Sequence, residues 1–195
     1  MATALKIKII MGSVREGRFN DKATKWITDI AKKREGLDTE VLDLKEWPFP
    51  SYKEPMSPSQ IKDGQYPSDL AKKWAVKIGE ADGYIFVTPE YNHGVSGALK
   101  NSIDHVYGEW NNKAVGLVGY GSLGGGRAIE HLRGIAAETQ MADVRTAVHI
   151  MAPWTLVDEK NELKPGTLDS YEHSANTMLD QLVSWAGAMK TVRMK

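Results

Sequence analysis

Residues 83–106 read GYIFVTPEYNHGVSGALKNSIDHV. A β-prone run that is apolar almost throughout, Gly83 to Thr88, leads into a loop opened by Pro89. A helix-period face of Val95, Leu99, Ser102, Ile103 and Val106 follows. A strand apolar along its whole length is buried on both faces, as in the middle of a parallel sheet covered by helices. The pattern recurs along the chain. Strand-like runs occur at 5–11, 39–44, 114–119 and 144–150, and helical faces at 23–31, 70–78, 128–136 and 175–189 fill the gaps. Five strands alternating with five helices predict one α/β domain over residues 1–195, a three-layer fold with helices on both faces of a five-stranded parallel sheet. The runs at 39–44 and 144–150 interleave Glu40, Asp43, Arg145 and His149, as edge strands do, so the expected order is 2-1-3-4-5.

Composition excludes several function classes. The 195 residues contain no cysteine, which removes disulfides, thiolate metal sites and cysteine nucleophiles. Twenty-five basic residues balance twenty-five acidic ones, which argues against a general nucleic-acid surface. The apolar stretch at the start is interrupted by Lys6 and Lys8 and stops at Gly12, so it reads neither as a signal peptide nor as a membrane span. The expectation is a cytoplasmic protein that binds no nucleic acid and no membrane.

Ligands of such sheets bind beyond the carboxyl ends of the strands, which points to the loops at 12–20, 89–95 and 119–125. The first, GSVREGRFN, offers backbone amides, a helix amino terminus, Ser13, Arg15, Arg18 and Asn20, a set suited to an anion such as phosphate. A glycine-bearing turn with surface arginines is the competing reading. The loop misses the P-loop pattern, because Arg18 and Phe19 stand where lysine and the magnesium-binding hydroxyl belong. The second, PEYNHG, suits a planar heteroaromatic ring read by backbone groups and covered by Tyr91, or else is turn chemistry alone. The third, GYGSLGGG, has glycines at 119, 121 and 124 in the spacing of a dinucleotide fingerprint. The next strand ends His149-Ile150 without the required carboxylate, so these glycines indicate only the close approach of backbone or ligand. Irregular stretches at 45–66 and 152–168 have the length of lids or subunit contacts. No metal-ligand pattern and no GxSxG nucleophile elbow is present.

Together, GSVREGRFN, TPEYNHGVSGALKNSIDH and VGYGSLGGGRAIEHLR resemble the NADPH-dependent FMN reductase family of flavodoxin-like flavoproteins, over about residues 5–150. The resemblance implies FMN as cofactor and NADPH or NADH as co-substrate. Hydride would pass by a ping-pong route to a small-molecule electron acceptor such as a flavin or quinone. It implies that Ser13, Arg15, Arg18 and Asn20, with Phe19 between them, hold the FMN phosphate. Pro89, Glu90, Tyr91 and Asn92 would meet the flavin and ribityl chain, and Gly121, Ser122 and Gly124 its pyrimidine edge. No catalytic acid, base or nucleophile is implied, because the flavin carries the chemistry. Two departures stand out, since Arg18 and Ser96 occupy positions where the family often has Ser and Pro, and the first leaves open whether Arg18 meets the FMN phosphate or the incoming nicotinamide cofactor. The resemblance also implies a homodimer or homotetramer, with the third and fifth helices and the segment His105 to Trp110 as candidate contacts. The rival function is a flavodoxin-like FMN-binding electron carrier or regulatory module without nicotinamide turnover, and the neutral charge disfavours the carrier.

Overall fold

A computed structural model describes residues 4–194. The sheet is built from β1 (Leu5–Met11), β2 (Leu37–Asp43), β3 (Gly83–Tyr91), β4 (Gly94–Val95), β5 (Ala114–Gly121), β6 (Ala142–Asp143) and β7 (Val148–Met151). The helices are α1 (Asn20–Lys32), α2 (Asp69–Gly79), α3 (Gly97–Asp104), α4 (Gly126–Glu138) and α5 (Glu172–Arg193). The order β2-β1-β3-β5-β6 is parallel throughout, with β7 also alongside β5 and β4 antiparallel to β3. This is an α/β flavodoxin-like fold. The apolar β3 and β5 lie inside and the charge-bearing β2 lies at an edge.

The expected five-stranded sheet of order 2-1-3-4-5 requires correction to seven strands, for two local reasons. The run at 144–150 is interrupted because side chains take over its backbone bonds. Arg133 donates to the carbonyls of Val144 (3.0 Å) and Arg145 (2.8 Å), and Gln181 Oε1 accepts from Thr146 N (2.9 Å). From this part of the chain only β6 and β7, on either side of the interruption, pair with β5. The second reason is that Pro89 does not end the third strand. It sits opposite Tyr120 at the last step of the parallel ladder, where a missing donor disrupts nothing further along it. The strand then folds back through Asn92 and His93, at φ 48° and 66°, into a two-residue hairpin with β4. Such turns require left-handed backbone, which asparagine tolerates better than most residues.

Each face of the sheet buries its own apolar cluster. Trp74, Ile78, Leu99, Ile103 and Trp110 pack against β3 and β5 on one side, and Ile27, Ala31, Met178, Leu179 and Leu182 pack on the other. Trp110, at the end of the segment expected to make subunit contacts, is fully buried in the first cluster and donates to the carbonyls of Ile103 (3.2 Å) and Val106 (3.1 Å). Ser96 caps α3 by accepting from Leu99 N at 3.2 Å, and its hydroxyl also bonds the Gly12 carbonyl. It thereby pins the helix to the first loop, a link that proline at this position could not make. At the opposite end of the sheet, buried Lys113 donates to the carbonyls of Ile78 (2.7 Å) and Gly79 (3.1 Å) at the end of α2, and burial pushes its pKa down to about 7.

Candidate functional site

The carboxyl ends of β1, β3, β5 and β7 open on one cleft of about 330 Å³, at the lower end of small-ligand site volumes. One wall is the first loop, from Arg15 to Phe19. Pro89, Glu90, Tyr91, Tyr120 and Gly121 form the floor, and Pro153, Trp154, Val157 and Asn161 close the far side. Four chain segments widely separated in sequence therefore meet around one space, as the sheet topology dictates.

The first loop divides its polar groups between the cleft and the scaffold. Ser13 is buried, and its hydroxyl lies 2.9 Å from the Tyr91 hydroxyl. Asn20, fully buried, donates its amide to the Val87 carbonyl (2.9 Å) and to the Tyr120 hydroxyl (3.1 Å). These two residues brace the tyrosines of the cleft floor. Burial pushes the Tyr120 phenol well above its usual pKa, so it stays neutral. Phe19 packs on Tyr120 with ring centroids 5.4 Å apart.

Arg18 also faces the scaffold. Its Nη1 donates to Asp43 Oδ1 (2.8 Å) and to the Ser13 carbonyl, its Nη2 to Asp43 Oδ2, and its Nε to Asp21 Oδ1 (2.9 Å), which is also 2.8 Å from Nη2. Four N–H bonds of the guanidinium are thereby directed at protein oxygens, and Asp21 lies at ion-pair distance from Nη2. Hydrogen bonding to Asp43 raises the Arg18 pKa further. Burial alone would raise that of Asp43, but the hydrogen bonds and charges of Arg18 and Lys45 together outweigh it and hold the carboxyl below its usual range. Arg15 is the opposite case. It is exposed, with its guanidinium carbon 5.6 Å from the centre of the Tyr91 ring, within cation–π reach.

The start of α1 is left open where those of α2, α3 and α4 are closed. Ser68 accepts from Ala71 N at the start of α2, Ser96 from Leu99 N at the start of α3, and the Glu90 carboxylate from Arg127 N (3.0 Å) at the start of α4. At the start of α1 stands Phe19, whose side chain caps nothing. Just before it, the N–H groups of Val14, Glu16 and Gly17 meet no acceptor among the described residues. Free amides, the positive end of a helix and an arginine without a carboxylate partner among the described residues are groups suited to an anion.

Glu90 does not face the cleft as a free acid. Burial favours its neutral form, but the Arg127 side chain and backbone outweigh this and hold its pKa low. The third loop also turns its glycines inward. Gly125 has φ 72°, and a Cβ there would lie 2.6 Å from Tyr120 N; a Cβ on Gly124 would lie 2.7 Å from the Cβ of His149. The close approach expected there is made by the protein's own chain. Of the expected site residues, Arg15, Arg18, Phe19, Pro89, Glu90, Tyr91 and Gly121 border the cleft, with Arg18 and Glu90 paired to protein partners. Ser13 and Asn20 lie beneath it, Asn92 is at the tip of the hairpin, and Ser122 and Gly124 are outside. Tyr120, Trp154, Val157 and Asn161 escaped sequence reasoning, although the rule of carboxyl ends applies to the loop after β7 as it does to the others.

Comparison with known proteins matches the same architecture. The family model described as NADPH-dependent FMN reductase matches residues 5–155. An NAD(P)H-dependent FMN reductase of Schizosaccharomyces pombe is 38% identical over 148 residues, 76% of this chain and 74% of its own. A 2-hydroxy-1,4-benzoquinone reductase of a Burkholderia species is 32% identical over 141 residues, 69% and 71% of the two chains. Among solved structures, the flavoenzyme NAD(P)H:(acceptor) oxidoreductase FerB from Paracoccus denitrificans superposes with a TM-score of 0.69 at 20% identity, over 93% of this chain and 98% of that one. That likeness is one of fold. Among the described residues, no helix is long and apolar enough to cross a membrane.

Proposed function

The chain belongs to the NADPH-dependent FMN reductase family, and from that membership we propose that it passes hydride from NAD(P)H through FMN held in the cleft to a small planar acceptor, by a ping-pong route. Membership makes it an oxidoreductase with FMN as cofactor and NAD(P)H as reductant. The observation that carries the placement of the cofactor is the uncapped amino terminus of α1, which opens beside Arg15 into a cleft floored by tyrosines. A phosphate fits the first feature and a flat ring the second.

In this reading the phosphate takes the free amides of the first loop and the Arg15 guanidinium, whose charge-assisted bonds are about twice as strong as neutral ones. Arg18 holds the loop in shape from below. Ser13 and Asn20 fix the hydroxyls of Tyr91 and Tyr120, so the floor is set before the ligand arrives and little ordering cost remains. Pro89, Tyr91 and Gly121 border the ring. When bound, FMN supplies the hydride-accepting and hydride-donating chemistry. The protein contributes orientation and exclusion of water, and no side chain of the cleft is assigned as an acid or base. A quinone or free flavin is the proposed acceptor class, because a flat ring fits against a flat ring. A homodimer or homotetramer is proposed as the assembly, testable by gel filtration.

The test is an absorbance spectrum after FMN addition and desalting, followed by anaerobic NADPH and NADH. Flavin absorbance that is retained and bleaches with either reductant supports the reading. Retained flavin that does not bleach makes the protein a carrier, and no retained flavin removes the site assignment.

A further inference from the structure

The segment 152–168 crosses the open side of the cleft, and residues 156–168 lie beyond the stretch that the family model matches. It leaves β7 through Ala152, a residue with a Cβ held in left-handed backbone at φ 42° and ψ 58°. Such a conformation in a residue other than glycine is disfavoured and persists only where surrounding bonds impose it. Those bonds are present. Ala152 N donates to the Gly121 carbonyl (2.8 Å), while the Ala152 carbonyl accepts from Thr155 N (2.9 Å) and Thr155 Oγ1 (2.8 Å). With Pro153 buried as the pivot, this turn presents Trp154 on the cleft wall with 63% of its surface exposed. An indole so exposed is unusual for a residue whose body is mostly apolar.

The chain then returns to the first loop. Asp158 organises a tight turn by accepting from Lys160 N and Glu162 N (both 2.9 Å), with Asn161 at φ 61°. Asn161 donates its side-chain amide to the Gly17 carbonyl at 3.2 Å. Gly17 belongs to the same loop whose neighbouring amides are free. One end of the segment thus holds an aromatic ring at the cleft, and the other is fastened to the proposed phosphate loop.

We propose that residues 152–168 are part of the cofactor site, with Trp154 the aromatic wall against which the flavin ring rests and Asn161 the latch that holds the segment across the phosphate loop. The inference deepens the proposed function and rests on it. It assigns retention of the cofactor to a segment most of which, residues 156–168, lies beyond the family match. Trp154 contacts the cofactor, whereas Asn161 acts through Gly17 as a positioning residue.

The test uses the full chain and FMN itself, with the wild type, Trp154→Ala, Trp154→Phe and Asn161→Ala. Three readouts are taken: FMN affinity, the rate of FMN release on dilution, and the quenching of flavin fluorescence on binding. Trp154→Ala is expected to weaken FMN about tenfold and to relieve part of the quenching, with Trp154→Phe recovering most of the affinity. Asn161→Ala is expected to speed release several-fold while leaving the quenching of bound flavin unchanged. Circular dichroism melts of the exposed-site variants check that folding is intact. If the wild type binds FMN and Trp154→Ala binds and quenches as the wild type does, the inference is overturned and the proposed function stands. If the wild type itself does not bind FMN, the proposed function falls first and the inference with it.

Discussion

Two loops leave the sheet in the same way and end differently. The β1–α1 and β5–α4 loops both run from the carboxyl end of an inner strand, through glycines, to the amino terminus of a thirteen-residue helix. In the second, the glycines are filled by the protein's own chain, and the positive end of α4 already holds the Glu90 carboxylate. In the first, the helix end is uncapped and Arg15 beside it has no carboxylate partner among the described residues. The number of glycines does not distinguish a ligand loop from a structural one; the occupant of the helix terminus does.

The most severe test of this contrast is Gly125→Ala. Left-handed backbone at φ 72°, with a backbone nitrogen 2.6 Å from the new Cβ, forces the loop apart, and a loss of about 3 kcal/mol or more is expected in urea melts. A variant as stable as the wild type would mean that the second loop is loosely packed and that its glycines are open to another explanation.

A second test separates the two arginines. Arg18→Ala strands Asp43 and opens the first loop, with an expected stability loss of about 2–3 kcal/mol, below the cost for a fully buried pair because Asp43 is partly exposed. Arg15→Ala is expected to change stability by no more than about 0.5 kcal/mol and to weaken FMN binding tenfold to a hundredfold. Equal effects of the two substitutions on FMN affinity, with neither changing stability, would return Arg18 to the phosphate.

These two residues also show how far the sequence could be read. The strands at 5–11, 83–88 and 114–119 and the helical faces were legible because apolar period reports burial directly, and the site loops followed from the carboxyl ends of those strands. Three residues apart in one loop, however, Arg15 and Arg18 have the same chemistry on paper. What divides them is Asp43, twenty-five residues from Arg18, at the end of an edge strand where a carboxylate reads as ordinary solvent-facing polarity. Glu90 is hidden in the same way by Arg127, and the division of the last strand by Arg133 and Gln181. Periodicity reveals faces, and it does not report partners brought together from distant segments.

The occupied helix terminus should show itself in acid. Because the Glu90 pKa is lower in the folded chain than its usual 4.5, its contribution to stability is complete above that value and is lost as pH falls through the folded one. Glu90→Gln keeps an acceptor for Arg127 N but removes the charge. It is expected to cost about 1 kcal/mol at neutral pH and to flatten the acid limb of the stability profile. An unchanged acid limb in this variant would show that the carboxylate adds nothing at the helix end.

The gentlest probe leaves the sequence intact and asks each helix whether it is vacant. Inorganic phosphate alone, without ring or ribityl chain, has only the free amides and Arg15 to hold it, so binding in the millimolar range is expected, roughly 4 kcal/mol. It should slow hydrogen exchange and shift amide resonances at Val14, Glu16 and Gly17, where no protein acceptor competes. Arg127 N already donates to Glu90, and a second anion there would meet a carboxylate of the same sign, so the start of α4 should not respond. A response at both helices would mean that the helix dipole attracts phosphate regardless of what caps it, and the distinction between the two loops would be one of degree. A response at α1 alone, lost in Arg15→Ala and kept in Glu90→Gln, would trace anion binding to the vacancy that the fold leaves at the start of this helix beside Arg15.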